Sequence, residues 1–171
     1  MNREDGGTMP QEKTTPVNMV NDHHCFGCGQ LNQHGLRLRF FANPEGNGMW
    51  TSFLPTSDFE GYGGIIHGGI VCTILDEVMA WSLYREQTWA VTGQLATRFR
   101  QPLVVGEPVR AIGQIVRDRG RVIEMQAEIR READDVLLAD GTATFFRVPE
   151  SRAAEWNARY LGDAPVGDPG V

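Results

Sequence analysis

Several things are scarce in this sequence, and each scarcity closes off a class of protein. Three cysteines in 171 residues are an odd and small set, which argues against a secreted disulfide framework and makes reduced thiols the default. No apolar run reaches the roughly 18 residues of a membrane span, and the polar opening "MNREDGGTMPQEKTTP" contains no signal-peptide core. A cytoplasmic protein with no membrane partner is expected. Cationic residues are outnumbered, 16 Lys and Arg against 22 Asp and Glu for a formal charge of -6. That balance disfavours the broad basic face that nucleic acid or anionic lipid requires. The G-x-S-x-G of a serine hydrolase does not occur. The first 34 residues are too polar and glycine-rich to supply a DNA-reading helix-turn-helix.

What is present is the balance of one globular domain: 41% hydrophobic and 22% charged residues in a chain long enough to enclose a core. Residues 1–16 have no hydrophobic period and are expected to form a disordered tail, followed by a domain over 17–149. Within 150–171, "ESRAAEWNARY" reads as a short helix and "GDAPVGDPGV" as a frayed end. In the domain, "LRLRFFA" and "MWTSFLP" read as two strands joined by the turn-rich "NPEGNG". A helix is expected from about Gly69 to Arg85, with Ile70, Val71, Ile74, Leu75, Val78 and Met79 at helical spacing. Four strand-like runs follow, beginning at "WAVTGQLATRFRQP", with turns too short for parallel crossovers. The fold class is α+β, with an antiparallel sheet wrapped around one long central helix.

The chemistry concentrates in "GYGGIIHGGIVCTILDEVMAW", residues 61–81. Gly68 and Gly69 stand where a helix begins, so their amides lack intrahelical partners and the helix dipole favours negative charge there. His67 can fix that turn or donate to a carbonyl. Further along the helix, Asp76 shares a strip with Cys72, Met79, Ala80 and Leu83, whereas Glu77 turns toward Thr73, Trp81 and Tyr84. Asp76 is expected in the drier setting, where burial raises a carboxyl pKa and makes the group a usable base or nucleophile. Glu77 is expected in the wetter one. Thr92, at the start of the next strand, is positioned to hydrogen-bond a carboxylate or a water.

The order "HGGIVCTILD", then "VTGQLATRFRQPL", then "GEPVRAIGQIVRDRGR" resembles the hotdog-fold acyl-CoA thioesterases of the PaaI-like family, over about residues 23–149. The resemblance implies a hotdog fold, a homodimer or homotetramer with active sites at the subunit interface, and hydrolysis of an acyl-CoA substrate without a cofactor. It also implies that Asp76 is the catalytic acid, as nucleophile or general base, that Thr92 is the hydroxyl partner, and that His67, Gly68 and Gly69 hold the thioester carbonyl. Many relatives carry Asn or Gln six residues before the histidine, where this chain has Gly61. That departure leaves a non-catalytic acyl-CoA binding module as the alternative. A hotdog hydratase ranks third, because "DFEGYGGIIH" has glycine where an Asn is wanted.

Two further groups carry possible chemistry. Cys25 and Cys28 form a CxxC flanked by His23, His24 and His34. A zinc site usually needs a second ligand pair, and the only other cysteine is Cys72, inside the helix. Packing beneath the helix is therefore the expected role, with no metal. Arg117, Arg119 and Arg121 surround the "RDRGR" hairpin and suit the phosphates of coenzyme A, because guanidinium presents a planar fork of donors.

Overall fold

The computed structural model describes residues 16–160 apart from 19, 45 and 86. All but the last residue of the expected N-terminal tail, and the expected frayed end after residue 160, lie outside the described residues. The strands are β1 (Phe41–Ala42), β2 (Gly48–Phe53), β3 (Glu60–Tyr62), β4 (Ile65–Ile66), β5 (Ala90–Phe99), β6 (Val109–Asp118), β7 (Val122–Arg131) and β8 (Leu137–Arg147). The helices are α1 (Gly68–Arg85) and α2 (Glu150–Tyr160). Six strands form one sheet in the order β1-β2-β6-β7-β8-β5, every neighbour antiparallel. This is the hotdog arrangement expected from the sequence. β3 and β4 make a separate small hairpin leading into α1; both are too short to leave a readable hydrophobic period.

α1 lies on the sheet because its apolar spacing gives it a face that only a sheet can cover. Val71, Ile74, Leu75, Val78, Met79 and Leu83 are buried in one cluster with Ala111, Met125, Ile129 and Leu138. Helix and sheet approach to backbone contact at one point: a Cβ on Gly113 of β6 would stand 2.6 Å from the Val78 carbonyl oxygen. Ser82 closes the gap on the β2 side, donating to Val78 O at 2.7 Å while its Oγ accepts the Met49 amide at 3.0 Å. A serine in the core is thereby satisfied as both donor and acceptor. α2 docks at the end of the sheet through Trp156 and Tyr160 against Trp89, and Trp89 Nε1 donates to Asn157 Oδ1 at 2.6 Å.

The expected strand over "LRLRFFA" pairs only at Phe41–Ala42. Arg37, with φ of 52°, breaks the extended run. Leu36 and Leu38 then donate to the Phe26 and Gly27 carbonyls at 2.8 and 2.9 Å, and Phe40 accepts from Val17 at 2.8 Å. The alternation still buries Leu36, Leu38 and Phe40, but its effect is to seat the 25–28 loop under α1 instead of extending the sheet.

Gly113→Ala is expected to lower stability by about 1–3 kcal/mol, the usual cost of forcing an extra carbon into a packed contact. Gly63→Ala, with nothing within 4 Å of the added carbon, is the matched control. Denaturant unfolding of the two variants checks this; equal midpoints would mean that helix and sheet have room to separate.

Candidate active site

The helix N-terminus is built around His67. Its carbonyl accepts the Ile70 and Val71 amides at 2.9 and 3.3 Å, and its Nδ1 accepts the Gly69 amide at 2.9 Å. His67 is therefore the N-cap, and Gly69 N–H is already engaged. With Nδ1 accepting, the ring proton of the neutral imidazole sits on Nε2, which is left as an outward donor. Gly68 N–H is the turn's other orphan amide. The expectation that neither glycine amide has a partner within the turn is thus corrected for Gly69, whose amide is taken by His67 Nδ1. Gly61 lies against this ring, where an added Cβ would stand 3.1 Å from His67 Cα and 3.3 Å from its Cδ2.

Asp76, two turns along α1, meets β5 across the helix–sheet seam: Thr92 Oγ1 donates to Asp76 Oδ1 at 2.7 Å. Burial raises the Asp76 pKa, and the Thr92 hydrogen bond offsets part of that rise. One turn earlier, Cys72 Sγ approaches Thr97 Oγ1 at 3.5 Å, so the same helix strip follows the strand. The β5–β8 register slips between Thr92 and Gln94. The extra residue is Gly93, whose position has no room for a Cβ because the Phe146 ring occupies it. A bulge re-aims the side chain beside it, and here that side chain is Thr92. Sequence reasoning found Thr92 but missed the bulge; the glycine inside a strand pattern was the available signal.

Glu77 is not in the wetter setting expected for it. The 25–28 loop covers it: Cys25 Sγ lies 3.4 Å from Glu77 Oε1 in a hydrogen bond, and Gly27 is pressed so closely that a Cβ there would overlap the Glu77 side chain. Burial, with a smaller contribution from Cys25, pushes the Glu77 carboxyl up to about 8. The Cys28 thiol hydrogen-bonds Cys25, which holds Cys25 below the usual thiol range and Cys28 well above it. The wet face was expected because α1 alone offers Glu77 only Thr73, Trp81 and Tyr84; the covering residues are about 50 positions upstream and left no periodic trace.

Arg117, Arg119 and Arg121 are exposed at the β6–β7 turn. Arg119 Nε is paired with Glu124 at 3.0 Å. The turn is braced by Arg147, which donates to Gly120 O at 2.8 Å and to Asp118 Oδ2 at 2.6 Å. Val122 registers with Phe146, and Phe146 with Val91, so the arginine turn is level with Thr92 and two strand spacings away, roughly 10 Å. Of the aromatic residues near the helix, Trp81 stacks on Phe40 and Trp50 on Phe41, while Trp89 is held by α2. A hollow of about 310 Å³ lined by Gln94, Val116, Gln126 and Thr142 lies on the sheet and includes none of these site residues.

Comparison with known proteins is consistent with this geometry. Residues 63–138 match the model of the thioesterase superfamily. An uncharacterised protein of Schizosaccharomyces pombe is 31% identical over 124 residues, spanning 70% of this chain and 71% of that relative. The acyl-coenzyme A thioesterase THEM4 of Xenopus laevis is 25% identical over 120 residues, 69% of this chain and 54% of the relative; this chain therefore matches about half of that protein. Among solved structures, smu.793 of Streptococcus mutans, bound to acetyl CoA, superposes with a TM-score of 0.60 at 17% identity, covering 65% of this chain and 88% of its own.

The capping geometry carries its own test. Removing the N-cap acceptor by His67→Ala is expected to cost about 1 kcal/mol, whereas His67→Asn, a good capping residue, should stay near the parent. Denaturant melts of the three proteins measure this. Equal stability of the alanine and parent proteins would show that the Nδ1 contact contributes nothing.

Proposed function

Because the chain belongs to the thioesterase superfamily, we propose that it hydrolyses an acyl-CoA thioester to the free acid and CoA, with Asp76 as nucleophile or general base. The observation that carries this reading is the 2.7 Å hydrogen bond from Thr92 to Asp76 Oδ1. It fixes one carboxylate oxygen and leaves the other for the thioester carbon or for a water. The carbonyl oxygen is received by Gly68 N–H and His67 Nε2–H, donors of the kind that stabilise the charge developing on a tetrahedral intermediate. A thiol of pKa about 8.5 leaves as thiolate without a strong general acid, so these few groups suffice. Arg117, Arg119 and Arg121 receive the phosphates of CoA, and the CoA-containing neighbour and the acyl-CoA thioesterase relative support that substrate class.

The two halves of this site belong to different subunits. Gly68 and Asp76 are eight residues apart on one helix, about 12 Å at 1.5 Å per residue. A carbonyl whose carbon meets Asp76 has its oxygen far closer than that. The donor turn of one copy must therefore serve the Asp76 of another. β5 is the open edge of the sheet and is exposed along most of its ten residues, with Val91 47% and Phe99 58% accessible. A bare edge of this length is a surface that proteins normally cover, and a second copy of β5 does so in a homodimer.

Purified protein should release CoA from at least one member of a panel of short, long and aromatic acyl-CoAs. Asp76→Asn should lower turnover at least about a hundredfold, since a general base alone contributes typically 10²–10⁴, while the melting midpoint stays close to the parent. Acyl-CoA binding with no release above background would favour the binding module.

Sedimentation should give a dimer or a dimer of dimers. A protein active as a 19.0 kDa monomer would overturn the shared site.

A further inference from the structure

We propose that Cys25, Cys28 and Glu77 form a zinc(II) site that ties the 25–28 loop to helix α1 beside Asp76. Sequence alone pointed away from a metal, because no second cysteine pair accompanies the CxxC. The third ligand instead comes from the helix, 49 positions after Cys28.

Three observations carry the assignment. The two sulfurs and a Glu77 oxygen all lie within 4.8 Å of one another, and Cys25 Sγ stands 3.4 Å from Glu77 Oε1. A tetrahedral zinc at its usual bond lengths holds a sulfur and a carboxylate oxygen roughly 3.5 Å apart and two sulfurs roughly 3.8 Å apart. The ligands therefore need to move little to receive the ion.

Next, the loop is folded tightly against the helix. Gly29 N–H donates to Cys25 O at 3.0 Å, closing the turn. A Cβ at Gly27 or Gly29 would collide, the former with Glu77 and the latter with the His23 backbone. The two glycines thus allow the loop to wrap its sulfurs onto the helix. His23 Nδ1 accepts the Cys25 amide at 3.4 Å, and the His23 ring packs edge-on against Tyr160 at 5.1 Å. Such outer contacts orient the groups that bind a metal.

Finally, no cationic side chain competes for these ligands. Glu77 makes no ion pair among the described residues, and two thiols are its polar neighbours. Once their protons are displaced, the charge of the three groups is compensated by the bound cation. All three cysteines are free, and Cys28 is buried while Cys25 and Glu77 are only partly buried, so the ion has an approach from the Cys25 side. Sulfur-rich ligands with one carboxylate select zinc over magnesium or calcium. Water takes the fourth position. On binding, zinc displaces whatever protons the two thiols and the carboxyl hold, and no electrons are transferred.

The test uses the full chain expressed without a metal-affinity tag and purified without chelator. Elemental analysis is expected to find about one zinc per chain. Protein stripped of metal and kept reduced should bind cobalt(II) with an intense thiolate-to-cobalt charge-transfer band in the near ultraviolet. Cys25→Ser should roughly halve that band. Glu77→Gln should keep it but weaken zinc binding at least about tenfold against a chromophoric chelator, and Cys72→Ser should change neither. The cobalt spectrum of the parent protein decides the matter even if a variant folds badly. Absence of the charge-transfer band, or zinc retained undiminished by a folded Cys25→Ser/Glu77→Gln double variant, would overturn the site. So would a reduced protein that binds no zinc while its air-exposed form carries a Cys25–Cys28 disulfide.

Discussion

Adjacent carboxyl groups on a helix laid into a sheet impose a constraint that the rest of this fold answers. Successive helical residues point about 100° apart, so Asp76 and Glu77 cannot share one partner. Asp76 is met by Thr92 on β5, through a strand that had to bulge at Gly93 to bring the hydroxyl round. Glu77 is met from the other side by the Cys25 loop, at the expense of any side chain at residue 27. Burial raises both carboxyl pKa values. Burial is the larger cause at both, and at Asp76 the Thr92 hydrogen bond offsets part of it by favouring the charged form. One acid is thereby hydrogen-bonded by a hydroxyl, as the proposed base requires, and its neighbour is held among thiols.

On the proposed function, the same helix explains why a single copy would be incomplete. The best donors for a developing oxyanion are at its first turn, and the acid comes two turns later. Helical rise is fixed by backbone hydrogen bonding and cannot be compressed to bring them together. Pairing two copies along β5 is the economical solution: the edge that needs cover is the strand that carries Thr92. In the proposed dimer, sheet closure and site assembly would depend on one contact.

Much of this was legible in the sequence. The 3.6-residue period from Ile70 to Met79 marked the helix, and the short turns among the last four strands required an antiparallel sheet. The nine-residue interval from His67 to Asp76 marked the site that is proposed. What failed did so for lack of a local signal. Arg37 in a left-handed conformation interrupts an alternation that otherwise reads as strand, and Glu77 looked solvated because the residues covering it belong to a distant loop. Periodicity reports the face a residue occupies on its own element, whereas burial depends on what the rest of the chain lays over that face. The CxxC was readable as a motif, but its third neighbour was not.

Gly61 is best understood through His67. A donor at that position, as many relatives are expected to have, would project beside the histidine ring, and the space there is narrow: an added Cβ meets His67 within 3.4 Å at three atoms. With glycine, the ring stays against the hairpin backbone and its Nδ1 reaches the Gly69 amide. That contact fixes the tautomer and leaves the proton on Nε2. Capping the helix and presenting a donor are thus one arrangement of one side chain. In the proposed mechanism a glycine at 61 leaves the carbonyl-binding role to His67 itself, so the missing Asn or Gln need not mean missing chemistry.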